Sequence, residues 1–104
     1  MSFLVKVGGY DFFGWLYSVS SLHEDPGVYA VGCEKNGITK VIDVGETDNI
    51  QDRIKKHDRK DCWEKECKDG EIIYSEYRTN VSKEKRMEIE KEIREKEDPP
   101  CGKE

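Results

Sequence analysis

No stretch of this 104-residue chain approaches the roughly 18 consecutive apolar residues that a membrane-spanning helix needs. No membrane association is therefore expected. The opening segment, MSFLVKVGGYDFF, has no long apolar run after a basic region. No secretory signal is read there, and the expected location is cytoplasmic. Internal repeats, long linkers and low-complexity tails are also lacking, which fits one small domain with one modest core. An excess of positive charge is missing too. Lys and Arg number 18 against 23 Asp and Glu, for a net charge of −5. That excludes a uniformly basic nucleic-acid-binding surface, so any such binding must depend on where the charges lie.

What is present is uneven. Hydrophobic residues make up 35% and charged residues 39%. The apolar ones cluster into short periodic runs, as in a packed core under a charged surface rather than a disordered chain. The stretch Arg53, Lys55, Lys56, His57, Arg59, Lys60 is basic, broken only by Ile54 and Asp58, whereas the acids concentrate towards the C-terminus. There are four cysteines: Cys33, Cys62, Cys67 and Cys101. With no sign of secretion, unlinked reduced thiols are expected. A zinc site is the sharper alternative, but Cys62 and Cys67 have no second tight pair to complete it.

Two β-rich runs, 3–7 and 10–15, flank Gly8-Gly9 and predict a hairpin. Ser20 or Ser21 is placed to cap a short helical turn, and Asp25-Pro26-Gly27 signals a turn. Strands are expected over 28–33 and 38–44, joined at Asn36-Gly37, the dipeptide most typical of a tight hairpin. A helix over 48–57, with Thr47 or Asp48 as N-cap, would turn Ile50, Ile54 and His57 to one face with Arg53 beside them. DRKDCWEKECKDG predicts a second short helix, and 71–77 a further strand. The last helix, capped by Asn80 or Ser82, should run over 82–97 with Met87, Ile89 and Ile93 inward, and stop at Asp98-Pro99-Pro100. The expected fold class is α/β (α+β): a central antiparallel or mixed three-stranded sheet flanked by helices, with an extra N-terminal β-hairpin. Residues 1–25 read as a hairpin extension packed on a domain over 26–104.

From Gly27 onward the ordered signals resemble the GIY-YIG nuclease superfamily. Gly27-Val28-Tyr29 stands for the first motif and Asp43-Val44-Gly45 for the second. GETDNIQDRIKKH stands for the helix whose arginine, here Arg53, follows ten positions after Asp43, with His57 one turn further on. In IEKEIREKEDPPCG, Glu90 lies nine residues before Pro99, as the family's glutamate and proline do. The resemblance covers roughly 26–102. It departs from the pattern in three places: Asp43 replaces the second tyrosine, Gly102 an asparagine, and Glu46 a lysine found in some members.

The resemblance implies cutting of a phosphodiester bond, in DNA above all, with one divalent ion, Mg or Mn. Glu90 would be the metal ligand, because hard cations prefer carboxylate oxygens. Arg53 would meet the scissile phosphate through its planar fork. Tyr29 would hold or deprotonate the attacking water, a task hard for a free phenol of pKa about 10. The alternative for Tyr29, of equal weight, is a core tyrosine on its strand. Asp43 is open to three readings: a substitute base, a second metal ligand, or the mark of a lost site. His57 would relay a proton or touch phosphate. Lys55, Lys56, Arg59 and Lys60 would bind the nucleic acid. Trp15, Trp63 and Tyr77 are candidates for base stacking, with core packing the alternative for both tryptophans. Three functions follow as expectations. One is an active endonuclease. Another is a degenerate module of the same fold that binds nucleic acid or a protein partner without cutting. The last is an interaction module built on the N-terminal hairpin.

Overall fold

The computed structural model describes residues 3–102. Two tight turns begin the sheet. Gly8 and Gly9, and then Asn36 and Gly37, all have positive φ, from 54° to 89°. Positive φ at both central residues makes a turn whose twist matches the strands it joins. The first turn pairs β1 (Leu4–Val7) with β2 (Tyr10–Leu16), and the second pairs β3 (Gly27–Lys35) with β4 (Ile38–Thr47). β5 (Glu71–Arg78) lies between the two hairpins, so the order is β1-β2-β5-β3-β4 and every pairing is antiparallel.

The sheet thus has five strands rather than the expected three, because the N-terminal hairpin is built into it. β2 pairs with β5 through Phe13 with Glu76 and Gly14 with Ser75. A lone hairpin is marginal in water. Here Val7 and Phe12, both at 0% exposure, join an apolar layer with Val28, Ala30, Val44, Ile89 and Ile93.

That layer is covered by α3 (Lys83–Glu97), whose N-cap Ser82 accepts from the Lys85 amide as its sequence position suggests. Its buried residues are Arg86, Ile89 and Ile93, whereas Met87 is exposed. Spacings of three and four put Arg86, not Met87, in line with the two isoleucines. The opposite face of the sheet carries Tyr29, Val31 and Ile42 under α1 (Ile50–Lys55) and α2 (Lys60–Glu66), with Ile50, Ile54 and Trp63 packed between. α1 is shorter than expected, and its N-cap is Asn49, whose side chain accepts from the Asp52 amide. A 3₁₀ turn over Val19–Ser21 is capped by Ser18.

The expectation of unlinked thiols is corrected. Cys33 is bonded to Cys67 and Cys62 to Cys101, and no described cysteine is free. The chain brings these pairs to Cα separations of 5.6 and 5.9 Å, within bridging range. No thiolate is left for zinc. Two disulfides are commoner in oxidising compartments, which pulls against a cytoplasmic location. Among the described residues no helix is long and apolar enough to cross a membrane.

Candidate functional site

One irregularity in β4 sets up the candidate site. Val31 pairs with Asp43 and the next residue, Gly32, pairs with Val41, so Ile42 is an extra residue. A bulge of this kind re-aims side chains. Here Ile42 joins the layer under α1 and α2, and the Asp43 carboxylate meets Trp63 of that same layer.

Asp43 is fully buried and accepts from five N–H groups. Its Oδ1 takes Val44 N at 2.8 Å, Arg59 Nη2 at 3.2 Å and Arg94 Nη2 at 2.9 Å; its Oδ2 takes Arg59 Nε at 2.8 Å and Trp63 Nε1 at 2.7 Å. Burial pushes its pKa up, but the hydrogen bonds from Arg59 and Trp63, the Arg59 charge and the Arg94 bond outweigh it, and the carboxyl is held below its usual range. A carboxylate so occupied has no lone pair to offer a proton or a metal.

Arg94 also donates to the carbonyls of Val44 and Cys101 and, through Nε, to Glu90 at 2.9 Å. Cys101 N donates to Ile42 O at 2.9 Å. β4 is an edge strand, and these contacts satisfy its outer carbonyls beside the bulge. Glu90 and Asp43, the two carboxylates expected at the site, therefore share one arginine.

Tyr29 lies across Gly45, where a Cβ would sit 2.1 Å from the phenol oxygen, so only glycine fits beneath the ring. Its Oη is 2.5 Å from His57 Nε2, and His57 Nδ1 accepts from the Arg59 amide at 3.0 Å. These two contacts fix the tautomer. An amide aimed at Nδ1 leaves the neutral ring's proton on Nε2, which donates to Tyr29. His57 is then a prop for the phenol rather than a base for it. Burial, followed by the Arg53 and Arg59 cations, lowers the His57 pKa to about 4 against the pull of Asp43 and Asp58. Burial raises Tyr29 to about 12; Arg59 and Arg53 oppose the rise, while Asp43 and Glu90 add to it. Near neutral pH both rings are uncharged.

Tyr29, Asp43, Arg53, His57 and Glu90 thus share one electrostatic neighbourhood, but not one cleft. Arg53 pairs with Asp58 at 3.0 Å and lines a cleft of about 240 Å³ with Glu46, Thr47, Asp48, Lys83 and Arg86. Glu90 lines a different depression of about 500 Å³ with Met87, Lys91, Arg94, Glu95 and Asp98. Tyr29 is 1% exposed. Glu46 is neutralised by Arg86 at 3.1 Å.

Of the expected nucleic-acid contacts, Lys55, Lys56 and Lys60 are exposed. Arg59 is not available to a ligand in the way expected, because its guanidinium is spent on Asp43. Trp63 is core, at 1% exposure, and Tyr77 packs against Phe12. Among the described residues no group of three or more His, Cys, Asp or Glu is arranged for a metal ion. Glu90 alone, with Arg94 on one oxygen, and Asp43, with both oxygens occupied, do not form a cradle for Mg or Mn. Sequence reasoning missed Arg94, Arg86 and the pair His23–Glu76, in which an exposed imidazole meets a fully buried carboxylate at 2.5 Å. The only signal for Arg94 was its place four residues after Glu90.

Comparison with known proteins finds no matching family model, no match among curated proteins and no match among solved structures.

Proposed function

We propose that this chain is a GIY-YIG-like domain that engages a nucleic-acid backbone without cutting it. The observation that carries this reading is the Asp43–Arg94–Glu90 network. The carboxylate at the second motif position is saturated by five donors, and the same arginine holds the glutamate that would bind the metal. A hydrolytic site needs an acceptor for the water's proton near working pH. Tyr29 at about 12, His57 with its Nδ1 occupied and Asp43 in its ion pairs do not supply one. Backbone binding would rest on exposed Lys55, Lys56 and Lys60, which need no catalytic group.

Incubation with duplex, branched and single-stranded DNA and with RNA, with Mg²⁺ or Mn²⁺, tests the reading. The expected result is salt-sensitive binding and no cleavage. Replacing Lys55, Lys56 and Lys60 by Glu should weaken binding and flatten its dependence on salt, by about one unit of slope for each phosphate that is no longer neutralised. Wild type that binds none of these polymers overturns the binding half.

A second reading, the metal-dependent endonuclease, is favoured by one observation: Arg53 and Glu90 both lie near enough to Tyr29 to bear on its pKa, Arg53 lowering it and Glu90 raising it. Metal-dependent cutting by wild type that Arg53→Ala and Glu90→Gln each abolish, with the fold intact, would establish it in place of the first.

A further inference from the structure

Both disulfides hold α2, but their surroundings differ. Cys101 is fully buried, its N–H bound to Ile42 and its carbonyl bound by Arg94. That pins the Cys62–Cys101 bond inside the Asp43 network. Each bond joins a buried cysteine to a half-buried one, Cys67 to Cys33 and Cys101 to Cys62, and Cys33 lines an open depression of about 350 Å³ with Lys35, Asn36, Ile38, Lys40 and Glu66. Bare backbone backs the bond: a Cβ on Gly70 would lie 2.6 Å from Cys33 Sγ and 3.1 Å from Cys67 Sγ.

We propose that Cys33–Cys67 is a thiol–disulfide exchange site for a small anionic thiol of the glutathione class, and that Cys62–Cys101 is the inert structural bond. Exchange requires a thiolate to reach a sulfur, and its rate follows access and local charge. Cys33 offers the access. Lys35 and Lys40 stand at the opening with Glu66; Lys35 is held by Asp69 at 3.6 Å, and the exposed Lys40 is the cation that favours a negatively charged thiol. The incoming thiolate attacks Cys33 Sγ and forms a mixed disulfide. The Cys33–Cys67 bond breaks, and Cys67 leaves as a thiolate that takes a proton from solvent. A second thiolate then attacks the thiol's own sulfur in that mixed disulfide. This releases the oxidised thiol dimer and a Cys33 thiolate, which is protonated in turn. Two small thiols are oxidised as one protein disulfide is reduced. Cys67 caps the C-terminal end of α2, so exchange frees that end from β3 while Cys62 still anchors the first turn.

The oxidised full-length chain is incubated with reduced glutathione, quenched with an alkylating reagent at intervals and mapped by mass spectrometry. Cys33 and Cys67 should be labelled at least tenfold faster than Cys62 and Cys101, with glutathione found on Cys33. Equal rates, prior labelling of Cys62 and Cys101, or labelling only in step with loss of far-ultraviolet circular dichroism would each overturn the proposal. A Lys35→Glu, Lys40→Glu variant separates charge from access. It should react at least threefold more slowly with glutathione and at an unchanged rate with uncharged 2-mercaptoethanol. An equal change with both thiols would refute the capture of an anionic thiol.

Discussion

Arg94 Nη2 lies 2.9 Å from Asp43 Oδ1, although 51 positions separate the two residues. The contact joins α3 to the bulge in β4, and Arg59 closes it from the start of α2. Removing one partner of a buried pair strands the other, at a cost of about 3–5 kcal/mol. Asp43→Asn keeps the shape but leaves Arg59 and Arg94 without their anion. A loss of that size in urea unfolding is the expected outcome. A loss under about 1 kcal/mol would show that solvent supports both arginines.

Stability should also fall with mild acid because of His57. Its folded pKa is about 4, while the unfolded ring titrates near its ordinary 6.5. Below 6.5 the unfolded chain gains a proton that the folded chain refuses. The folded state is therefore fully favoured above about 6.5 and loses ground as pH falls towards 4, by up to about 3 kcal/mol. Unfolding midpoints between pH 7.5 and 4.5 measure this. His57→Gln should flatten the profile in that window, and an unchanged slope would assign the acid sensitivity elsewhere.

Gly45 is the tightest point under the candidate site. A methyl group there would lie 2.1 Å from Tyr29 Oη and 2.3 Å from its Cζ. The ring is wedged against His57 and has no free direction of retreat. Overpacking of this kind typically costs about 1–3 kcal/mol. Gly45→Ala should lose at least that much, with the Tyr29–His57 contact broken in the imidazole proton spectrum. A neutral effect would mean that the ring swings out easily.

What could be read from the sequence was local. The Asn36-Gly37 turn, the Ser82 cap, the halt at Asp98 and the inward set Ile50, Ile54, His57 each depend on a few neighbouring residues, and all of them are present. The cap of α1 is harder to place because Thr47, Asp48 and Asn49 offer three side-chain oxygens in a row, and the end of β4 decides which one caps. Met87 displaces Arg86 from the expected inner face when hydrophobicity is weighed above spacing, yet Arg86 buries its stem and reaches Glu46. The disulfide partners and the reach of Arg94 to Asp43 depend on how distant segments pack, which no local pattern carries. For the same reason Asp43 reads as a candidate base from sequence: its five donors come from Val44, Arg59, Trp63 and Arg94, three of them at least 16 positions away.

The N-terminal hairpin should prove indispensable rather than accessory. Val7 and Phe12 are fully buried under α3, and Gly8 meets Ile93 so closely that a Cβ would lie 2.7 Å from the Ile93 Cα. The Gly8 amide donates to Glu97 at 2.7 Å and the Tyr10 hydroxyl to Glu92 at 2.8 Å, so the hairpin turn and the start of β2 are both tied to the helix. Deleting residues 1–16 would remove these contacts, uncover Ile89 and Ile93, and leave β5 with an unpaired edge. An exposed, half-apolar edge invites association with other chains. The truncated chain should therefore lose its cooperative melt or aggregate. Phe12→Ala in the full chain, which keeps the edge covered, should cost about 3–5 kcal/mol while the protein stays monomeric. That pair of measurements separates the core contribution from the edge contribution. A truncated chain that melts at the wild-type temperature would show that β3, β4, β5 and the helices stand without it.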